Sequence, residues 1–303
     1  MQTSPRHAPT RRRRRAAAPA GLLLLAAFAL HAPACSRPAG GTGDAGAAAA
    51  PQAPARADAA PAQPPAPRAE DRGDFRVARR PPRPDLSPEE RAEQADEEKS
   101  LEEAAAELNK RFSLPHDILI GFDECDEPNA FYDPEKKEVI VCYELVEDLY
   151  AALRGDFKTD EEIGELVANA TTFVFFHEVG HALVDAYDLP VTGREEDAVD
   201  QLSVLVLADG TDEGDQAVLD AARSFAGQSD EKLDDIAFAD EHSLDRQRFY
   251  NIICLLYGRN GRKFASLVEG GTLPEGRAER CADEYARADR AWDALLAPYV
   301  KPR

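Results

Sequence analysis

Between residues 160 and 187, valines alternate with a threonine and two histidines at spacings of three and four, which is the period of one face of an α-helix. The repeating positions are Val167, Thr171, Val174, His177, His181 and Val184. Leu189-Pro190 ends this pattern, and a second helix is predicted over about 194–208. The centre of the chain is therefore predicted to be two helices joined by a short turn.

The flanking regions alternate between helical and strand patterns. Ser87-Pro88-Glu89-Glu90 has the residue types of a helix start, and that helix is expected to end near Arg111. Two β-rich runs, 117–122 and 138–143, are separated by the turn signal Asp133-Pro134. Further helices are predicted over 143–150, 244–257 and 274–296. Together these patterns predict a mostly helical α+β domain with a small β-sheet.

The first 85 residues differ in composition from the rest. Residues 1–34 combine an arginine-rich start with an apolar run, which predicts an export signal peptide. One alternative is an ordinary A-x-A cut, and the other is lipoprotein processing that leaves Cys35 acylated. Lipidation is favoured, because it reduces five cysteines to an even four. Residues 35–85, rich in Ala, Pro and Gly, are predicted to be a disordered tether, and residues 86–303 to be the folded domain.

The formal net charge of −21 becomes −27 once the six arginines of the signal peptide are removed. So acidic a domain is not expected to bind nucleic acid, where cations displace counterions from phosphate. The expected partners are a peptide or protein substrate and, through a lipid on Cys35, a membrane of the cell envelope or periplasm. The oligomeric state is left open. The other cysteines form two candidate disulfide pairs suited to an oxidising compartment: Cys125 with Cys142, and Cys254 with Cys281.

The first central helix carries the HExxH motif His177-Glu178-Val179-Gly180-His181. Four residues make about one helical turn, so both imidazoles project from one face and are placed to hold a zinc ion. Glu178 is angled to reach a zinc-bound water, whose proton it would take as general base and later deliver to the leaving amine. The alternative is a helix with two incidental histidines.

A catalytic zinc needs a third protein ligand. The acidic candidates that follow the motif are Asp185, Asp188, Glu195, Glu196, Asp197 and Asp200. In an antiparallel helix pair, Asp200 would lie level with His181, and Glu196 about one turn nearer the loop. The residues alone leave both open, and Asp185 is expected to be a solvated acid or the partner of a ligand.

A tetrahedral intermediate also needs a hydrogen-bond donor toward its oxyanion. His242 is the first candidate, followed by Arg248 and Tyr250, although a packing or salt-bridging role is the simpler expectation for each. The run 138–143 is a candidate to pair with an extended substrate by β-addition. A purely structural strand is the alternative.

The segment Glu196-Asp197-Ala198-Val199-Asp200 resembles the acidic helix of gluzincins, the zinc peptidases of the heat-shock and prenyl-protein-processing type, although its alanine stands one place early. In those proteins the glutamate binds zinc and the aspartate steadies a ligand histidine. The span 173–209 and the later QRFYNIICLLYG also resemble a metallopeptidase family of exported bacterial proteins, catalogued as a domain of unknown function. The resemblance covers about residues 100–300, implies a zincin-like fold, and assigns the zinc ligands His177, His181 and Glu196.

The sequence therefore predicts an α+β, zincin-like domain, mostly helical with a small sheet over the HExxH helix. The expected function is zinc-dependent hydrolysis of peptide bonds in the cell envelope, with Glu178 and His242 as catalytic residues. One alternative is an inactive zinc-site protein that acts as a binding or regulatory module. The other is an envelope binding protein without a metal.

Overall fold

The computed structural model describes residues 69–80, 87–154, 159–227 and 239–302. The predicted signal peptide, Cys35 and most of the predicted tether lie outside these ranges. The described residues are mostly helical and include a small sheet, which confirms the predicted α+β class. None of the described helices is both long and apolar enough to cross a membrane.

The elements of the described residues follow one another in a simple order. They are β1 (Phe75–Val77), α1 (Pro88–Arg111), β2 (Ile118–Asp123), β3 (Ala130–Asp133), β4 (Glu138–Cys142), α2 (Tyr143–Leu153), α3 (Asp160–Tyr187), α4 (Glu195–Leu207), α5 (Asp212–Gly227), α6 (Asp245–Arg259), α7 (Ala265–Glu269) and α8 (Glu275–Leu296). All the predicted helices are confirmed to within a few residues. The elements that the sequence patterns did not predict are β1, β3, α5 and the short α7.

The sheet has the strand order β1-β2-β4-β3, with β3 antiparallel to the other three. Strand β4 is hydrogen-bonded to β2 on one side and to β3 on the other. The prediction that 138–143 could pair with a substrate is therefore wrong, because neither edge of that strand is open. In the sheet as described, the edge strand on that side is β3.

Strand β1 corrects the boundary of the predicted tether at residue 85. Phe75 is 2% exposed, and its strand pairs in parallel with β2. Asn109 of α1 holds the Phe75 backbone from both sides, because its Oδ1 accepts from the Phe75 N–H at 2.7 Å and its Nδ2 donates to the carbonyl at 2.9 Å. Three residues are too few to show the alternating pattern of a β-strand, so the sequence patterns did not reveal this element within the predicted tether.

Helices α3 and α4 pack closely against each other at the HExxH motif. A Cβ on Gly180 would lie 2.8 Å from both Cβ and Cγ1 of Val199, which is itself fully buried. Gly180 is therefore required for the close approach of the two helices. Helix α3 begins at a capping box on Thr159 and ends at Asp188, whose φ of 50° is left-handed.

Two disulfides link elements of the described domain, and both are the predicted pairs. Cys125 bonds to Cys142 between the loop after β2 and the end of β4. Cys254 bonds to Cys281 between α6 and α8.

Candidate metal centre

The carboxylate of Glu196, in the first turn of α4, lies among three imidazole rings. Its Oε2 is 2.9 Å from His177 Nε2 and 3.0 Å from His242 Nε2. Its Oε1 is 3.2 Å from His181 Nε2. One donor atom each from His177, Glu196 and His242 all lie within 4.8 Å of one another. The fold thus brings Glu196 against both motif histidines, and it places the predicted His242, from a distant part of the chain, in the group of mutually close donors with His177 and Glu196.

Each ring also meets a carboxylate at its second nitrogen. These contacts join His177 Nδ1 to Asp200 Oδ1 at 2.8 Å, His181 Nδ1 to Glu195 Oε1 at 2.7 Å, and His242 Nδ1 to Asp240 Oδ1 at 3.1 Å. A carboxylate cannot donate, so Nδ1 carries the hydrogen and the Nε2 lone pair of a neutral ring faces Glu196. Nitrogen and carboxylate oxygen then face each other as acceptors, which is stable only with a proton or a cation between them. Imidazole and carboxylate are ligand types that zinc accepts, so these residues fit a bound metal ion.

The electrostatics of the cluster favour positive charge at its centre. Burial by itself lowers the pKa of His181, but hydrogen bonds to Glu196 and Glu195 outweigh it and raise that pKa to about 9. The pKa of His177 is raised in the same way by Asp200 and Glu196. Burial would raise the pKa of Glu196, yet hydrogen bonds from the three histidines lower it well below its usual range. Positive charge is thus stabilised here, either as protons on the rings or as a metal cation.

Glu178 lies on α3 between the two motif histidines. Its side chain is buried, 6% exposed, and burial raises the pKa of its carboxyl group. Within the described part of the chain, no hydrogen bond occupies this carboxylate. A raised pKa makes a carboxylate a stronger base, which suits the role predicted for Glu178.

Asp200 is buried beneath His177 and bound by Arg248. Arg248 Nε donates to Asp200 Oδ2 and Nη2 to Oδ1, both at 2.8 Å, and its guanidinium lies 4.0 Å from the centre of the Phe225 ring. Burial would raise the pKa of Asp200, but the charge of Arg248 and the hydrogen bonds lower it to about 2. Asp200 therefore contacts the outer nitrogen of His177, while Glu196 faces the inner one. Arg248, a candidate oxyanion donor, is instead committed to Asp200.

The remaining candidates have other partners. Asp185 accepts a hydrogen bond from Tyr132 Oη at 2.6 Å and from Lys137 Nζ at 2.8 Å, which ties α3 to the sheet. Asp188 forms the left-handed end of α3. Tyr250 packs its ring against Phe249. These contacts fit structural roles for all of them.

The loop that carries His242 is fastened to the start of α4. Arg194 Nη1 donates to the carbonyl oxygen of His242 at 2.8 Å, and Ser243 Oγ donates to Asp197 Oδ1 at 2.7 Å. Asp197, one of the candidate ligands, thus serves as an anchor for this loop. Asp240 was not predicted as a site residue, because neither a motif nor a helical period marks it.

The model of the family described as "Putative metallopeptidase" matches residues 84–296. The chain belongs to this family. The matched span contains the HExxH helix, α4 and the His242 loop, so every residue of the cluster falls inside it. No curated protein and no solved structure matches the chain significantly. The family assignment supports peptidase activity and implies a metal, in agreement with the donor cluster.

Proposed function

We propose that this protein is a zinc-dependent peptidase of the cell envelope and that Glu178 is its general base. The observation that carries the proposal is the convergence of three imidazole Nε2 atoms on the Glu196 carboxylate, with Glu178 in the same helical turn. When bound there, a zinc ion supplies Lewis acidity, because it lowers the pKa of water to about 7 and polarises a carbonyl group.

The residues of the cluster would have three separate roles in such a site: metal binding, orientation of the ligands and proton transfer. His177, His181 and Glu196 would hold the ion, while Asp200 and Glu195 fix the two rings through their Nδ1 atoms. Glu178 accepts the proton of the attacking water and delivers it to the leaving amine. Its burial keeps its proton affinity high enough for both transfers.

An extended peptide is the class of substrate that the sheet favours. Strand β3 is the outer strand on one side of the described sheet, and extended peptides bind by adding to such edges. Tyr132 of β3 donates to Asp185, which lies one turn after His181 on α3. A peptide added to β3 would therefore run alongside the helix that carries the catalytic motif.

The proposed location rests on the N-terminal segment and the disulfides. Residues 1–34 have the pattern of an export signal, and Cys35 is placed for acylation. The disulfides Cys125–Cys142 and Cys254–Cys281 support an oxidising compartment, because such bonds form and persist there.

Metal content and turnover test the proposal together. The wild type, Glu178→Gln and Glu196→Gln would be purified and measured by elemental analysis and against a peptide library. We expect about one zinc ion per chain in the wild type and Glu178→Gln, much less in Glu196→Gln, and turnover in the wild type alone. Absence of zinc from all three, even after reconstitution, would contradict the proposal. Stoichiometric zinc without turnover would instead support an inactive zinc-site module.

A further inference from the structure

His242 makes the same pattern of contacts as the two motif histidines. Its Nε2 is 3.0 Å from Glu196 Oε2, the oxygen that also faces His177 Nε2. Its Nδ1 contacts Asp240 Oδ1, as His177 Nδ1 contacts Asp200. The rings of His177 and His242 are nearly parallel, with an interplanar angle of 22° and centroids 6.0 Å apart. A carboxylate behind Nδ1 and an Nε2 directed at the centre is the usual arrangement of a metal-binding histidine.

We propose that His242 is a further ligand of the metal ion in the resting protein and that Asp240 orients it for that role. This inference rests on the metal centre proposed above. It assigns His242 to metal binding rather than to oxyanion stabilisation, the role predicted from the sequence.

The position of the His242 ring decides between these two roles. An oxyanion donor must present an N–H to the reacting oxygen. Both ring nitrogens of His242 instead face carboxylates, Nδ1 that of Asp240 and Nε2 that of Glu196. The His242 Nε2 atom lies 3.0 Å from the same Glu196 oxygen that His177 Nε2 approaches to 2.9 Å, and ligand atoms of these three residues lie within 4.8 Å of one another. His242 is thus placed to bind a cation held beside Glu196.

The exposure of the three rings indicates which ligand is displaceable. The His242 side chain is 41% exposed, against 4% for His177 and 16% for His181. Both motif histidines lie on a long packed helix, whereas His242 lies on a loop whose backbone is held by Arg194. Rotation of the His242 ring toward solvent would therefore leave the loop and the other ligands in place.

A displaceable fourth ligand would regulate the site. Four protein donors give zinc a closed coordination shell, whereas catalytic zinc keeps one position open. With His242 bound, the centre would be inactive, and it would become competent when the ring leaves as substrate enters. In this resting state, His242 at the rim of the cluster would occupy the coordination position that catalysis needs open.

Metal affinity of the full-length protein tests the assignment without reliance on activity. The metal-free wild type, His242→Ala and Asp240→Asn would compete for Zn²⁺ with a chromogenic chelator, and Co²⁺ absorption spectra would report the ligand set. We expect His242→Ala to weaken Zn²⁺ binding about 10-fold or more and to change the Co²⁺ spectrum. Loss of the orienting carboxylate in Asp240→Asn should weaken binding by about 10- to 100-fold. Glu241→Gln is the matched control, because it removes the same charge from the neighbouring position of the loop and should bind as the wild type does.

The possible outcomes separate this inference from the proposed function. Wild-type affinity and an unchanged Co²⁺ spectrum in His242→Ala, together with a lowered kcat, would overturn the inference and restore the oxyanion role. A wild type that binds no metal would overturn both the inference and the proposed function. Circular dichroism of the metal-free variants, compared with that of metal-free wild type, identifies any loss of fold. If His242→Ala does not fold, Asp240→Asn alone decides the assignment.

Discussion

Replacement of Arg248 by methionine tests whether the support beneath the metal centre is as tightly coupled as its contacts indicate. The change would leave Asp200, 7% exposed, without its charged partner and without two hydrogen bonds of 2.8 Å. Breaking a buried ion pair from one side costs about 3–5 kcal/mol. In the variant, His177 Nδ1 still donates to Asp200, and the methionine side chain retains a contact with the Phe225 ring. The lower end of this energy range therefore applies. We expect a loss of about 3 kcal/mol in the free energy of unfolding.

Equilibrium urea unfolding of the metal-free protein measures this loss directly. With a slope of about 2 kcal/mol per molar urea, the midpoint should fall by about 1.5 M. The double variant Arg248→Met with Asp200→Asn should recover much of the stability, because no unpaired charge is left buried. Lys110→Met is the surface control: its pair with Glu107 is exposed and should change the stability by less than about 1 kcal/mol. If Arg248→Met also lost less than about 1 kcal/mol, the buried pair could not be the support described above.

Three further changes probe the site and its frame. Gly180→Ala would place a Cβ 2.8 Å from Val199. The destabilisation by overpacking, about 1–3 kcal/mol, should exceed the gain in helix propensity of about 1 kcal/mol, so the free energy of unfolding in urea should fall. The second change Val199→Ala should restore the lost stability. A stabilised Gly180→Ala would refute the close contact. Glu178→Gln should retain zinc but lose about 100-fold or more in kcat on a peptide substrate, and near-normal kcat would exclude it as the base. The double variant Cys254→Ala with Cys281→Ala removes a disulfide between residues 27 apart, and this should lower the free energy of unfolding by about 3–4 kcal/mol. Thermal unfolding would measure the loss, and an unchanged melting temperature would show that α6 and α8 need no covalent link.

The position of the HExxH motif in the fold could be predicted from local sequence. A helical period over 160–187 and a four-residue spacing place His177 and His181 on one face whatever surrounds the helix. The cysteine pairs also followed from the predicted elements and their count. Strands β1 and β3 could not be predicted in this way, because three- and four-residue strands are defined by their partners in the sheet.

The arrangement of the candidate ligands depends on how α3 and α4 meet. Counting residues back from the loop placed Asp200 level with His181, whereas in the fold Glu196 faces both motif histidines and Asp200 contacts His177. The packing of Gly180 on Val199 and the path of the connecting loop determine this shift, and neither follows from helical period alone. The local sequence therefore supplied the candidates, and interhelical packing selected among them.

The sequence by itself identified His177, His181 and Glu196 as candidate metal ligands, because HExxH and the acidic helix after it are close together in the chain. It offered His242 and Arg248 only as possible oxyanion donors. Only the tertiary structure decided that His242 contacts Glu196, that Arg248 binds Asp200 and that Asp240 belongs to the same site. Asp240, His242 and Arg248 lie after α5, and no periodic pattern links them to α3 or α4. Their contacts arise when α6 and the loop before it pack against α4, so long-range packing and buried charge pairing, rather than local propensity, complete the centre.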